Sequence, residues 1–349
     1  MRVVVLYAGL SGYIAACLQA LRTYGADILL VHWPVSNEAP FKDQFSSSVD
    51  HAFDKSQLSK NELRDRVVDF QPDVMVVSGW MDKEYLSVCR EMKKKGVMVV
   101  AGSDTQYTGS VRQKIGNLIS PWYLHKAIDV MWVTGERQKQ LACHLGYKGQ
   151  RCWEGFYTCD WDSFRQPDRE KGQNAFLFTG RLIPRKGISS LLKAYQAYRK
   201  NSTSPWELWV VGAGPLAEEV ATVPGVVNKG FVQPSDLPAL YQQVSAFVLP
   251  SRVEPWGVVV HEAAAAGLPI ICTDSCGAGV HLVRDHFNGY TFQVDNVSEL
   301  TAYLTLMAGL SADSWRAMSK HSYILSQQYH PSLWVKTLIT GYQYSQKEV

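Results

Sequence analysis

Two glutamates, Glu254 and Glu262, lie eight positions apart in the segment Pro250–Ala263. A buried strand is predicted to end at Pro250 and a helix to begin near Gly257, which places Glu254 on the loop and Glu262 about one turn into the helix. A carboxylate there can accept hydrogen bonds from two neighbouring hydroxyls. The free N–H groups of the first helical turn suit a phosphate, and Gly257 lets it approach closely because no Cβ intervenes. The segment therefore predicts a site for a ligand with both hydroxyls and phosphate. The alternative is a pair of solvated glutamates, which the small apolar residues around Glu262 disfavour.

A second candidate is the basic loop Thr179–Gly187, which follows a predicted strand and precedes a predicted helix. Arg181 and Lys186 can present a planar fork and a point charge to one diphosphate. Such charges help a nucleoside diphosphate to leave, because they neutralise the charge that develops on it. Arg185 is expected to face solvent, and a basic surface loop without a ligand remains the alternative.

A third loop, Gly212–Pro215, also follows a predicted strand. A Gly-x-Gly-Pro run alone is weak, because a tight turn explains it equally well. Together with the other two loops, it predicts one wall of a nucleotide pocket.

The elements that must position these loops alternate between strands and helices in both halves of the chain. The predicted strands are continuous apolar, largely β-branched runs, as expected for parallel strands buried on both faces. They are Val3–Tyr7, Ile28–His32, Val74–Ser78, Val97–Ala101, Val130–Thr134, Ala175–Thr179, Glu207–Val211, Ala246–Pro250, Pro269–Thr273 and Tyr290–Phe292. The pattern lapses over residues 148–174, which we interpret as the connection between two Rossmann-like, doubly wound domains facing a cleft. The predicted domains are 1–165, joined by a returning C-terminal helix at about 329–349, and 170–328.

Composition narrows the classes of function. The chain of 349 residues is 46% hydrophobic and 19% charged, with a net charge of +3, which disfavours a dedicated nucleic-acid binder. Its seven cysteines include no C-x-x-C pair, so we expect a reducing, cytoplasmic setting and no zinc site. The apolar N-terminus leads into a Gly/Ser turn, and we interpret it as a first strand and not a signal peptide.

These loops resemble the retaining glycosyltransferases of family 4, which have the GT-B fold. The glutamate pair matches the E-x7-E motif of that family within PSRVEPWGVVVHEAAAAGLPII, and GRLIPRKG, VVGAGP and HLVRDHFNGYTF follow its order and spacing. The resemblance covers nearly the whole second half of the chain. It implies a metal-independent hexosyltransferase that takes its sugar from a nucleotide-diphosphate sugar, with UDP-sugars favoured, and that keeps the anomeric configuration.

The resemblance also implies roles for individual residues. Arg181 and Lys186 would bind the donor diphosphate, Glu262 the ribose hydroxyls, and Glu254 the transferred sugar. Backbone groups at further positions would complete the donor site: Gly12, Gly180, Gly212, Val232, Gly257, Val258 and Val259. No cofactor besides the nucleotide-sugar co-substrate is implied.

The first half matches the family less well. Many members carry a His-Asp pair after a strand of this half, whereas this sequence has Ser103 and Asp104. Asp104 is kept as a candidate catalytic residue, and Ser103 stands where the histidine is expected. A structural alternative is that these two residues cap the next helix.

Three questions stay open in the sequence. A catalytically silent GT-B scaffold subunit, or a GT-B epimerase or phosphorylase, are alternatives to the transferase. The acceptor is unknown. The segment Ser110–Lys126 mixes basic and aromatic residues, which fits either peripheral contact with a membrane or an anionic acceptor, or an ordinary solvated helix face.

Overall fold

The computed structural model describes residues 1–10, 12–34, 49 and 51–347. The chain divides into two compact units: unit 1 comprises Met1–Asp160 and Tyr329–Val349, and unit 2 comprises Trp161–Gln328. Each unit is built around one parallel sheet. Among the described residues, no helix combines the length and the apolar character that crossing a membrane requires.

The sheet of unit 1 has seven strands in the order β3-β2-β1-β4-β5-β6-β7. The strands are β1 (Arg2–Tyr7), β2 (Asp27–His32), β3 (His51–Asp54), β4 (Val74–Val77), β5 (Met98–Ser103), β6 (Val130–Val133) and β7 (Cys152–Glu154). Alternate residues of β1 enter two different cores, since Val3 and Val5 pack on one face and Val4 and Leu6 on the other. This burial on both faces explains why the strands are continuous apolar runs.

Helices cover both faces of that sheet. They are α1 (Gly12–Thr23), α2 (Lys60–Phe70), α3 (Lys83–Lys94), α4 (Val111–Tyr123), α5 (Glu136–His144) and the C-terminal helix, numbered α14 (Pro331–Ser345). The predicted return of the chain is observed, because α14 packs on α1. Trp334 of α14 stacks on Trp132 with ring centroids 4.7 Å apart, and its Nε1 donates to the carbonyl oxygen of Phe156 at 3.0 Å.

Unit 2 has a six-stranded parallel sheet in the order β10-β9-β8-β11-β12-β13. Its strands are β8 (Ala175–Thr179), β9 (Glu207–Val211), β10 (Val226–Gly230), β11 (Ala246–Leu249), β12 (Ile270–Thr273) and β13 (Gly289–Phe292). Its helices are α6 (Trp161–Phe164), α7 (Ile188–Asn201), α8 (Ala217–Ala221), α9 (Leu237–Gln243), α10 (Val258–Ala265), α11 (Gly279–Leu282), α12 (Val297–Ala308) and α13 (Ala312–Ser326). In both units the strand order reverses beside the first strand, and the edge beyond the carboxyl ends of the strands at that point is where such sheets bind ligands.

Two sequence-based interpretations are corrected. The segment 148–174 is not a plain connection, because it contains the edge strand β7 and the short helix α6, and the chain passes between the units at Asp160–Trp161. Ser103 and Asp104 do not cap the following helix. Helix α4 begins at Val111, and the side chain of Ser110 accepts from the backbone N–H of Gln113.

Candidate functional site

Three loops of unit 2 are joined by backbone hydrogen bonds at the carboxyl ends of β8, β9 and β10. The N–H of Gly180 donates to the carbonyl of Val211 at 2.9 Å, and the N–H of Gly212 donates to the carbonyl of Gly230 at 2.8 Å. Two residues further along, Leu182 N–H donates to the carbonyl of Ala213 at 2.8 Å. The loops are therefore one interlocked surface.

Two glycines allow this interlocking. Gly212 has φ +145°, and a Cβ at its position would lie 1.9 Å from the carbonyl oxygen of Gly180. Gly187 has φ +69°, and a Cβ there would lie 1.9 Å from the carbonyl oxygen of Pro250. No side chain fits either place, so both glycines are required by backbone contact.

The centre of this surface is an ion pair between two predicted site residues. Lys186 Nζ lies 2.5 Å from Glu254 Oε2, although the two residues are 68 positions apart. The carboxylate is nearly buried, with 9% of its side chain exposed against 18% for the lysine side chain. The buried hydroxyl of Ser251 donates to the same Oε2 at 2.9 Å. Sequence reasoning missed Ser251, although its place on the loop between a buried strand and Glu254 is a usable signal.

The loop that carries Glu254 is fixed to its surroundings. Arg252 N–H donates to the carbonyl of Arg185 at 2.9 Å, and the guanidinium of Arg185 donates to the carbonyl of Val253 at 3.1 Å. Arg185 is exposed, as expected, and it ties the basic loop to the glutamate loop. On the other side, the carbonyl of Glu254 accepts from Gly277 N–H at 3.1 Å.

Helix α10 begins beside this carboxylate. Gly257 is its N-cap, with φ +93° and no side-chain capping bond, and a Cβ there would lie 3.0 Å from Glu254 Cγ. Val258 and Val259 form the first helical positions and are half-buried. Their amides lie at the positive end of the helix, where an anion is stabilised.

Glu262 is half-buried one turn further along α10. Its Oε2 accepts a hydrogen bond from the hydroxyl of Tyr241 at 2.9 Å. Tyr241 belongs to α9 and is fully buried, so it holds the carboxylate from the side of the core. No local sequence signal points to this contact, because a tyrosine on a short helix is usually a core residue.

The remaining donor-side candidates lie on the rim of the same surface. Arg181 is exposed two positions after the end of β8, and Val232 is half-buried two positions after the end of β10. Arg181, Lys186, Gly180, Gly212 and Val232 thus all follow neighbouring strands of the sheet of unit 2.

Two candidates belong to unit 1. Gly12 is the first residue of α1, after β1, and no described heavy atom outside its chain neighbours lies within 4 Å of a Cβ built on it. Asp104 directly follows β5 and is half-buried, and Ser103 before it is buried.

A tyrosine cluster accompanies Asp104. The rings of Tyr13 and Tyr157 lie 4.8 Å apart. The pKa of Tyr157 is raised well above its ordinary value, chiefly because of burial, then by the charges of Tyr13 and Asp104. The pKa of Tyr7 is raised by burial and by the other two tyrosines. The phenols of Tyr7 and Tyr157 therefore stay protonated at neutral pH, and that of Tyr157 interacts with the charge of Asp104.

The sequence contains one Asp-x-Asp triplet, Asp160-Trp161-Asp162, a spacing that can hold a metal ion and that the expectation of metal independence overlooked. Asp162 is 67% exposed and lies 3.4 Å from the guanidinium of Arg165, while Trp161 is a core residue that donates to Ser326 Oγ at 2.8 Å. Within the described ranges, no three His, Cys, Asp or Glu side chains are grouped so as to hold a metal.

Two Rossmann-like parallel-sheet units, the second carrying interlocked loops at the carboxyl edge of its sheet, define a protein of the GT-B fold. Residues 160–318 match the family described as glycosyl transferases group 1.

Several individual proteins are also similar to this chain, in sequence or in structure. O-antigen chain mannosyltransferase B of Escherichia coli is 29% identical over 218 residues, which is 56% of each chain. A GDP-mannose-dependent phosphatidylinositol monomannoside mannosyltransferase of Mycobacterium tuberculosis H37Rv is 35% identical over 143 residues, which is 36% of this chain and 37% of its own. The chain thus spans about half or less of the length of these relatives. The structure of Anabaena HepE in complex with UDP superposes with a TM-score of 0.76 at 14% identity, over 99% of this chain and 100% of that one, which shows the shared fold.

Proposed function

We propose that this protein is a retaining glycosyltransferase that moves a sugar from a nucleotide-diphosphate sugar to an acceptor hydroxyl. The observation that carries the proposal is the Lys186–Glu254 pair at 2.5 Å within the interlocked loops. A cation for the diphosphate and a carboxylate for the sugar lie side by side there, at the positive end of α10. The acceptor can be a glycan, a lipid-linked molecule, a protein or a small molecule, and the protein acts in the cytoplasm.

In this proposal the donor replaces the internal ion pair. The diphosphate takes Lys186 and Arg181 as its counter-ions, and the amides of Val258 and Val259 bind its outer phosphate. Glu254 then turns from the lysine to the hydroxyls of the sugar, held by Ser251. Glu262, held by Tyr241, accepts the ribose hydroxyls.

The chemical step breaks the bond between the anomeric carbon and the phosphate oxygen, and the electron pair leaves with the diphosphate. Lys186 and Arg181 stabilise that charge as it develops. The acceptor hydroxyl attacks the short-lived oxocarbenium-like carbon from the same face. Because the attack is on the face that the phosphate leaves, the configuration is retained. The proton of the acceptor hydroxyl passes to the departing phosphate oxygen, so no metal is needed to balance charge. Asp104 and Gly12 of unit 1 are the proposed acceptor-side and phosphate-side contributors.

The first-choice donor is a UDP-sugar, consistent with the UDP complex of a protein that shares the fold. GDP-mannose is the second candidate, because a relative that is 35% identical over 143 residues is named as GDP-mannose-dependent. A thermal-shift screen of UDP-, GDP-, ADP- and dTDP-sugars separates the two, since only a bound ligand stabilises the fold by mass action. Stabilisation by none of the four would contradict a donor site.

The site assignment is tested with Glu254→Gln and Lys186→Met. Each is expected to lower kcat/KM for transfer by about 1000-fold, because each removes charge complementarity to the transition state. Glu218→Gln, at an exposed glutamate of the same unit, is the matched control and should behave as wild type. Wild-type activity in either site variant overturns the assignment.

The same assay distinguishes the competing functions. A scaffold subunit binds a donor but transfers and hydrolyses nothing. An epimerase or phosphorylase converts the nucleotide sugar without an acceptor alcohol. Activity that survives EDTA, followed by NMR of the anomeric proton in the product, tests metal independence and retention together.

A further inference from the structure

Helix α4 of unit 1 is oriented the opposite way from an ordinary surface helix. Five apolar residues form one stripe at helical spacing, and each is between 48% and 73% exposed: Val111, Ile115, Leu118, Ile119 and Trp122. We name this stripe the α4 apolar face. A helix on a globular domain normally turns such a stripe toward the core.

The opposite face of α4 is polar and packs on the domain. Ser120 is fully buried, and its hydroxyl donates to the carbonyl of Leu145 at 2.8 Å. Gln113 holds the preceding loop, since it accepts from Thr108 N–H at 2.7 Å and donates to the carbonyl of Gln106 at 2.8 Å. The orientation of the helix is therefore fixed by hydrogen bonds, and the outward apolar face is a built feature.

The charged side chains within residues 111–126 are all basic. Arg112 and Lys114 flank the stripe on either side of the helix, Lys126 follows its end, and all three are exposed. Residues 111–126 contain no acidic side chain. An apolar stripe with a basic residue on each side and a tryptophan on the stripe matches the boundary between the headgroups and the acyl chains of a bilayer.

We propose that the α4 apolar face docks on the surface of a membrane that contains anionic lipids. The apolar side chains enter the headgroup region while the three cations pair with lipid phosphates. Protein interfaces are depleted of lysine, so a second protein fits the flanking charges less well. Because α4 follows Asp104 by seven positions, docking brings the carboxyl edge of the unit 1 sheet close to the lipid surface. The proposal stands on α4 alone and does not depend on the donor chemistry.

The test is co-sedimentation of the full chain with vesicles of phosphatidylcholine, with and without phosphatidylglycerol. The double variant Leu118→Asp/Trp122→Asp should lower partitioning onto anionic vesicles by at least about tenfold. Two apolar side chains that would enter the membrane are replaced by negative charges, which the anionic lipids repel. Leu306→Asp is the matched control, since Leu306 is 50% exposed on a helix of unit 2, and it should partition as wild type.

The charges are tested separately with Arg112→Gln/Lys114→Gln/Lys126→Gln. This variant should lose about tenfold or more of its preference for anionic over neutral vesicles and most of its salt dependence. Thermal melting with and without UDP shows that the variants fold and bind nucleotide as wild type does.

Three results would overturn the proposal. They are absence of vesicle binding by the wild type, equal binding by the Leu118→Asp/Trp122→Asp variant, and equal affinity for neutral and anionic vesicles. A concentration-dependent dimer that Leu118→Asp abolishes, without vesicle binding, would assign the face to a second copy of the chain. Vesicle binding without any donor binding leaves the docking intact and overturns only the proposed function.

Discussion

The carboxyl edges of the two sheets use glycine for different reasons. In unit 2, a Cβ on Gly212 would lie 1.9 Å from the carbonyl oxygen of Gly180, and the loops are joined by backbone hydrogen bonds. In unit 1, Cβ atoms built on Gly9 and Gly12 meet no described heavy atom within 4 Å, apart from their chain neighbours. The same sequence signal, a glycine in a loop after a strand of a doubly wound sheet, therefore reflects backbone packing at Gly212 and open space among the described residues at Gly12.

Under the proposed function, this difference separates two ways of accommodating a phosphate. Unit 2 preorganises its loops through contacts that exist without a ligand, which lowers the reorganisation needed when charge develops. Unit 1 leaves room at Gly12, and under the proposed function this room accommodates a group that arrives with the substrate. Substitutions to alanine distinguish these reasons directly.

The largest effect is expected for Gly212→Ala. The added methyl group must displace the Gly180 loop, and φ +145° is strained for any side chain, so we expect the free energy of unfolding of unit 2 to fall by about 3 kcal/mol or more. Urea denaturation followed by circular dichroism measures it. A wild-type unfolding midpoint would show that the loops are not locked by this contact.

Gly12→Ala should give the reverse pattern. Alanine is the better helix former, so stability should stay the same or rise by up to about 1 kcal/mol, while kcat/KM for transfer falls by about tenfold to a hundredfold as the methyl group meets the ligand. The comparison fails if Gly12→Ala is unfolded, or if it is folded and fully active.

Ser251→Ala is expected to have the next smaller effect. It removes one hydrogen bond to the Glu254 carboxylate but leaves the backbone carbonyl of Ser251, which accepts from Thr273 and Ser275, in place. We expect kcat to fall about tenfold with little change in KM, because the carboxylate is less well positioned. An unchanged kcat would show that Ser251 does not position Glu254 during transfer.

The smallest effect is expected for Tyr241→Phe. The half-buried carboxylate of Glu262 loses its hydroxyl partner, and affinity for UDP should fall about threefold to tenfold. Isothermal titration measures it, with Tyr344→Phe at an exposed tyrosine of unit 1 as the control. Tighter UDP binding in Tyr241→Phe would show that the tyrosine competes with the ribose for Glu262.

Much of the fold follows from apolar patterning. The predicted bounds of β8 and β9 match those observed, because these strands are buried and parallel, so almost every residue is apolar. The strands β3 and β10 were missed because they are sheet edges with exposed polar residues, such as His51 and Lys229. Helix α2 was missed because its sequence, KNELRDRVVDF, is mostly charged and buries only three side chains.

The candidate site was predictable residue by residue but not as an arrangement. Lys186 and Glu254 each stand in a loop after a buried strand, and the topology brings these loops to one edge. Their direct contact depends on a separation of 68 residues that no local pattern encodes. The hydrogen bond from Tyr241 to Glu262 depends likewise on the packing of α9, and the sequence around Tyr241 does not predict it.

The chain crosses between the units twice, so unit 2 is inserted into unit 1. During synthesis, all of unit 2 leaves the ribosome before α14 does. The core around Trp132 is incomplete until then, because Trp334 of α14 stacks on Trp132. Synthesis of unit 1 therefore begins before that of unit 2 and ends after it. The sheet of unit 1 lacks the packing of α14 while unit 2 folds. A chain truncated after Gln328 and released from the ribosome should have a protease-sensitive unit 1 attached to a folded unit 2.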